Sequence, residues 1–142
     1  GRTIMEALED YVSDNDQAAL VNNLGTTGYF GLMSMCSAMV GNSSSGIIEA
    51  ASFGLPVVNI GTRQHGRARG MNVLDVGYSR SEILAGIEQA ILPETRDRLR
   101  GTTNLYGDGH ASAKIVQGLK QLELNENTVK KRFHDVESAV EY

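Results

Sequence analysis

Ala38-Met39-Val40-Gly41-Asn42-Ser43-Ser44-Ser45-Gly46-Ile47-Ile48-Glu49-Ala50-Ala51-Ser52-Phe53-Gly54-Leu55-Pro56-Val57-Val58-Asn59-Ile60 is the stretch on which the fold turns. A short apolar run, expected as a strand over Ser37–Val40, meets a small, hydroxyl-rich turn. A helical segment over Ile47–Phe53 follows, and Gly54 stops it, as glycine does just past a helix C-terminus. Pro56–Ile60 is β-branched, with proline at its start where a missing N–H is tolerated, and reads as a second strand. Short strands alternating with helices predict a parallel α/β sheet flanked by helices.

The alternation continues in both directions. Upstream, Thr3–Val12 places Ile4, Ala7, Leu8 and Tyr11 at helical spacing with Glu6, Glu9 and Asp10 outward. Ser13–Asp16 is a turn cluster, Ala18–Asn22 is expected as a short strand and Gly25-Thr26-Thr27-Gly28 as a loop. Tyr29–Cys36 reads as a short helix with Phe30 and Met33 on one face. Downstream, Thr62–Gly70 is a polar, basic loop, Asn72–Val76 a strand and Ser81–Leu92 a helix. Ser81 is its expected N-cap, with Ile83, Leu84, Ile87 and Ile91 as the buried stripe. Asn104–Gly109 is a glycine-bearing loop, and Ala111–Leu122 a last helix with Ile115, Val116, Leu119 and Leu122 facing inward. The division expected is a domain over 1–122 and a charged tail over 123–142, either a loose helix or disordered.

In open parallel sheets the ligand crevice lies at the carboxyl ends of the strands. Four loops are expected there: Gly25–Gly28, Gly41–Gly46, Gly61–Gly70 and Gly77–Arg80. The serine turn is the most suggestive of them. A helix N-terminus leaves backbone N–H groups unpaired and carries partial positive charge, so it can hold an anion. Ser43, Ser44 and Ser45 add hydroxyls, although capping alone would employ one of them. Glu49 lies four residues beyond Ser45, on the same helical face, with its carboxylate leaning toward the opening. Beside a phosphate it would be repelled, unless it accepts hydrogen bonds from hydroxyl groups such as those of a ribose; the alternative is a solvated glutamate. Arg63, Arg67 and Arg69 fall within seven residues. They are either a solvated basic loop or a clamp for carboxylate or phosphate, which the guanidinium fork suits. His65 has no placed partner, and Asp108 with His110 is too small a set for a metal site.

Composition bounds the rest. A net charge of −4 argues against sequence-independent nucleic-acid binding, and three Phe, five Tyr and no Trp against a base-stacking platform. No apolar run approaches the roughly 18 residues of a membrane helix. The single cysteine, Cys36, excludes an intrachain disulfide and is expected as a buried, inert thiol. A cytoplasmic protein without cofactor or metal is the expectation. The chain opens on Gly1-Arg2-Thr3 without methionine, as a tag scar or an excised fragment would. No G-x-G-x-x-G, Walker A lysine or G-x-S-x-G element is present, and no carboxylate pair nominates a general acid and base.

Three blocks carry a resemblance: Gly41-Asn42-Ser43-Ser44-Ser45-Gly46-Ile47-Ile48-Glu49-Ala50, Phe53 through Arg67, and Tyr106-Gly107-Asp108-Gly109. In this order they resemble hydrolysing UDP-N-acetylglucosamine 2-epimerases, in particular the branch that makes N-acetylmannosamine for sialic-acid synthesis. The similarity runs from about Gly1 to Leu122. It implies a truncated Rossmann-like domain, the C-terminal, UDP-holding half of a GT-B fold, from a protein that is a homodimer when intact. It further implies that Ser43 and Ser44, with Ser45 beside them, meet the diphosphate, Glu49 the ribose hydroxyls, and Arg63 and Arg67 the nucleotide. The family reaction loses UDP to a glycal-like intermediate and then adds water. Its proton-transferring carboxylates come largely from outside this stretch, so the fragment is expected to be inactive alone. Two other readings stay open: a non-catalytic nucleotide-binding regulatory module, and the nucleotide-binding half of a GT-B glycosyltransferase.

Overall fold

The computed structural model describes residues 2–130. They fall into two compact units that divide after Tyr106. The first is built on three parallel strands in the order β1-β2-β3: β1 (Met39–Gly41), β2 (Val57–Ile60) and β3 (Val73–Val76). Met39 lies opposite Val57, which in turn lies opposite Val73, so the pairing is in simple step along the sheet. This is the parallel, helix-flanked α/β sheet of a Rossmann-like domain.

The central strand explains the layering. Val57, Val58 and Asn59 are all buried, and successive side chains of a strand point to opposite faces. On Val57's face sits α3 (Ser44–Ile48); a Cβ on Gly46 would lie 2.7 Å from the Val57 Cγ1 atom. On Val58's face sits α4 (Arg80–Ala90), where a Cβ on Gly86 would lie 2.8 Å from Val76 Cγ1 and 3.0 Å from Val58 Cγ1. Glycine on the helix side of each contact lets both layers approach the valine side chains closely, and a strand covered by helices on both faces is buried on both, so it reads as a near-continuous apolar run. The main apolar cluster lies on the α3 side: Met33, Ala50, Leu55 and Val57, with Phe30 and Phe53 packed against it at a ring separation of 5.4 Å.

Several expectations change. The helix expected over Ile47–Phe53 begins earlier, at Ser44, and breaks at Glu49 into α3 and a 3-10 turn over Ala50–Phe53. Gly54 ends it in the left-handed conformation (φ 56°), as expected. Ala18–Asn22 is not a strand; it has no ladder partner, and alternation without a neighbour to pair with does not make a strand. Gly25–Gly28 is not a strand-end loop but the first turn of α2 (Gly25–Met35), entered through an Asn23 side chain that accepts the Gly25 N–H. The N-cap of α4 is Ser79, not Ser81. Ser79 accepts the Glu82 N–H at 3.2 Å while the Glu82 carboxylate turns back to Ser79, a capping box. Its buried residues are Gly86 and Ala90, whereas Leu84 and Ile91 are exposed. A short helix that periodicity did not reveal, α5 (Pro93–Leu99), follows at once.

Helix α1 (Arg2–Ser13) forms as expected and buries none of its residues. In the second unit, α6 (Ala111–Gln121) is also where it was expected, but Ile115, Val116, Leu119 and Leu122 are exposed rather than inward-facing. A four-residue helix, α7 (Glu126–Val129), lies in the charged tail; the tail beyond residue 130 is outside the described residues.

Candidate functional site

All three strands end on the same side, and the loops that leave them are tied to one another. Gly41 closes β1, and Asn42 and Ser43 lead into α3. Ser43 is extended (φ −73°, ψ 143°) and its hydroxyl accepts the Ser45 N–H at 3.3 Å, the usual economy of an N-cap. Ser43 is therefore occupied by the helix itself. Ser44 and Ser45 are the first two helical residues and are half-buried.

The loop after β2 reaches back to this turn. Arg63 Nη1 donates to the Asn42 carbonyl at 3.3 Å and to its side-chain oxygen at 3.4 Å. Gln64, only 4% exposed, donates to the same carbonyl at 2.8 Å. Arg69 does not face outward as the cluster reading implied. Its Nε pairs with Asp75 at 2.6 Å, and its other nitrogens donate to the carbonyls of Gln64 and Arg67. Asp75 in turn accepts from the buried Asn59 amide at 2.6 Å. Arg69 thus fastens the loop to β3 and, through Asp75, to β2, leaving Arg63 and Arg67 as the exposed guanidinium-bearing residues of the three.

A second strap comes from the loop before the second unit. The Asn104 amide donates to the Ile48 carbonyl at 2.7 Å and to Ser52 Oγ at 2.8 Å, and the Tyr106 hydroxyl donates to the Ala68 carbonyl at 2.9 Å. The end of α3 and the arginine loop are therefore spanned by three residues. Sequence reading singled out Tyr106 as part of a motif but missed Asn104, Gln64 and Asn42 as its framework. A side-chain amide in a turn was the available signal, since such groups bond readily to nearby backbone.

Ser45 and Glu49 meet at the wall of a cleft of about 740 Å³ that is also lined by residues 21–26, Tyr29 and Phe30. The Glu49 N–H donates to the Ser45 carbonyl at 3.0 Å, which sets the two side chains one above the other. One carboxylate oxygen of Glu49, Oε2, is shielded from solvent and has no hydrogen-bond partner in the protein. A buried acceptor without a donor is costly, so a donor supplied from the cleft would be favoured. Tyr29 and Phe30 add two aromatic side chains to the lining of the same cleft. Neither Arg63 nor Arg67 is among its lining residues; Arg63 stands beside the serine turn through Asn42.

These features sit in a sequence whose residues 1–120 match the family described as UDP-N-acetylglucosamine 2-epimerase. The chain belongs to that family. It is 37% identical over 131 residues to a UDP-N,N′-diacetylbacillosamine 2-epimerase (hydrolyzing) of Legionella pneumophila, covering 92% of this chain and 33% of the relative. A GDP/UDP-N,N′-diacetylbacillosamine 2-epimerase (hydrolyzing) of Campylobacter jejuni is 47% identical over 76 residues, 53% of this chain and 20% of the relative. Polysialic acid biosynthesis protein P7 of Escherichia coli is 32% identical over 108 residues, 76% of this chain and 28% of the relative. This epimerase-family chain therefore spans about a third or less of the length of these relatives. Among its described residues no group of His, Cys, Asp or Glu is placed to hold a metal ion, and no helix is long and apolar enough to cross a membrane.

Proposed function

We propose that this chain is the UDP-holding part of a hydrolysing UDP-N-acetylglucosamine 2-epimerase, which converts UDP-N-acetylglucosamine and water to N-acetylmannosamine and UDP. The observation that carries the reading is the pairing of Ser45 with the half-buried, unpartnered Glu49 carboxylate in one cleft of a chain from this family. In this reading Glu49 accepts hydrogen bonds from the two ribose hydroxyls, each of which brings a donor to an acceptor that has none. The Ser44 and Ser45 hydroxyls, with the Ser44 backbone N–H, take the diphosphate, while Ser43 holds the turn by accepting the Ser45 and Gly46 N–H groups. Tyr29 and Phe30 offer an apolar face for a planar base. Arg63, with Arg67 further along the loop, faces the charge that develops on UDP as it leaves.

Bond breaking at the anomeric carbon leaves negative charge on the β-phosphate. Fixed donors that already point there stabilise the transition state more than the substrate, because they need no reorganisation. The groups that move protons on the sugar are not assigned among these residues; the chain acts on the leaving group.

A second sugar is favoured by one observation: the Legionella relative, matched over nearly the whole chain, is named for UDP-N,N′-diacetylbacillosamine. Both substrates share UDP. Titration calorimetry of the protein as its gene encodes it should give UDP binding that Glu49→Ala weakens by about 10-fold to 100-fold, the scale of hydrogen bonds to a charged acceptor. Unchanged affinity would remove the assignment. Product analysis with each nucleotide sugar then decides between the two substrates.

A further inference from the structure

Tyr78 is an unusual surface tyrosine. It is 70% exposed, yet its ring is tightly placed. Gly61 leaves β2 with φ 72°, and a Cβ at that position would lie 2.2 Å from the Tyr78 ring. The Tyr78 hydroxyl accepts the Thr62 N–H at 3.0 Å and is 3.1 Å from Thr62 Oγ1. Both partners belong to the first two residues of the loop that carries Arg63. Its placement is not needed for the core, from which Tyr78 is absent, nor for capping α4, which Ser79 and Glu82 accomplish.

The contacts continue in one direction. Tyr78, in the loop after β3, holds Gly61 and Thr62. The next two residues, Arg63 and Gln64, in the loop after β2, both donate to Asn42. Asn42, in the loop after β1, precedes the Ser43 cap. All three strand-end loops are thereby joined by side-chain contacts that start at the phenol. Gly61 has a wide range of accessible backbone conformations, and the phenol acts on Thr62 directly, where the Arg69 and Gln64 ties hold the loop only further along.

We infer that Tyr78 is a positioning residue that sets the departure of the arginine loop and so aims Arg63 at the bound nucleotide. This rests on the reading of the cleft as a UDP site. Tyr78 acts through Thr62 and need not touch the ligand.

The test is a double-mutant cycle on UDP affinity, measured by calorimetry in the protein as its gene encodes it, with Tyr78→Phe and Arg63→Ala. Phenylalanine keeps the ring on Gly61 and removes only the hydroxyl, so the variant remains folded; its unfolding midpoint and the amide spectrum of the Thr62 N–H report this directly. Tyr78→Phe should weaken UDP by roughly threefold to tenfold, the worth of a neutral hydrogen bond, and shift the Thr62 amide resonance. In the Arg63→Ala background the same change should have no further effect. Glu49→Ala provides the control on the site itself. If Glu49→Ala weakens binding and Tyr78→Phe does not, the positioning role is wrong and the site stands. An equal loss from Tyr78→Phe with and without Arg63 makes the phenol a general support and also overturns the role. If none of the three changes alters affinity, the site reading and the positioning role fall together.

Discussion

Glu49 and Ser43 show how two residues of the same motif take different work. The sequence placed Ser43, Ser44 and Ser45 around an anion and Glu49 beside them, toward hydroxyl groups such as those of a ribose, and the motif was legible because serine hydroxyls and a helix start are local features. What it could not show is that the Ser43 hydroxyl is already taken by the Ser45 N–H, or that Glu49 terminates α3 rather than continuing it. Both depend on where the helix begins, and three serines in succession offer three equivalent starting points. Ser43→Ala should therefore lower stability by about 1 kcal/mol, the usual loss of an N-cap, and be read in denaturant unfolding. Ser45→Ala should leave the unfolding midpoint nearly unchanged and weaken UDP. The arginines divide in the same way. Arg69 is fixed by Asp75 and by two carbonyls, so Arg69→Ala is expected to destabilise the loop, whereas Arg67→Ala should act on ligand binding alone.

At the scale of elements, α4 is the instructive case. Its existence was plain from Ile83, Leu84 and Ile87, yet the start was misplaced by two residues. Ser79-Arg80-Ser81-Glu82 contains two serines, and the three-residue spacing to glutamate that marks a capping box belongs to Ser79. The buried face also shifted, because the sheet accepts the helix where Gly86 and Ala90 are small, not where Leu84 and Ile91 are large. Gly86→Ala should cost about 1–3 kcal/mol by overpacking against Val58 and Val76, visible as a lower unfolding midpoint. The cap is pH-sensitive. The Ser79 hydroxyl, and then the Ser79 N–H, hold the Glu82 carboxyl below its ordinary pKa. A carboxyl depressed on folding contributes stability that is complete above its unfolded pKa and lost as pH falls through the folded value. Stability should thus decline on acidification below the ordinary glutamate range, and Glu82→Gln should flatten that decline. α5 escaped notice for a different reason: Pro93-Glu94-Thr95-Arg96-Asp97-Arg98-Leu99 has almost no apolar periodicity, and Arg96 secures it by donating to the Cys36 carbonyl at 3.1 Å, far away in sequence.

For the whole molecule, the α/β class was legible because the strands of a parallel sheet flanked by helices are short apolar runs between helices, and Val57-Val58-Asn59-Ile60 is such a run. The false strand at Ala18–Asn22 is also a short, largely apolar run, but it has no neighbour to pair with, which is tertiary information. The division after Tyr106 leaves the sheet and the Asn104 strap in one unit. A chain ended at Tyr106 should keep slow amide exchange at Val58 and Asn59, the most buried part of β2; rapid exchange there would show that the sheet requires residues beyond Tyr106. The order of the strands in the sheet is also their order along the chain. On the ribosome, β1 would therefore find β2 as its first available neighbour and β2 would find β3, each ladder closing over a short length of chain at low entropic cost. Among the described strands, neither ladder has to wait for a distant partner to emerge, so β2 is covered on both sides as soon as β3 is available.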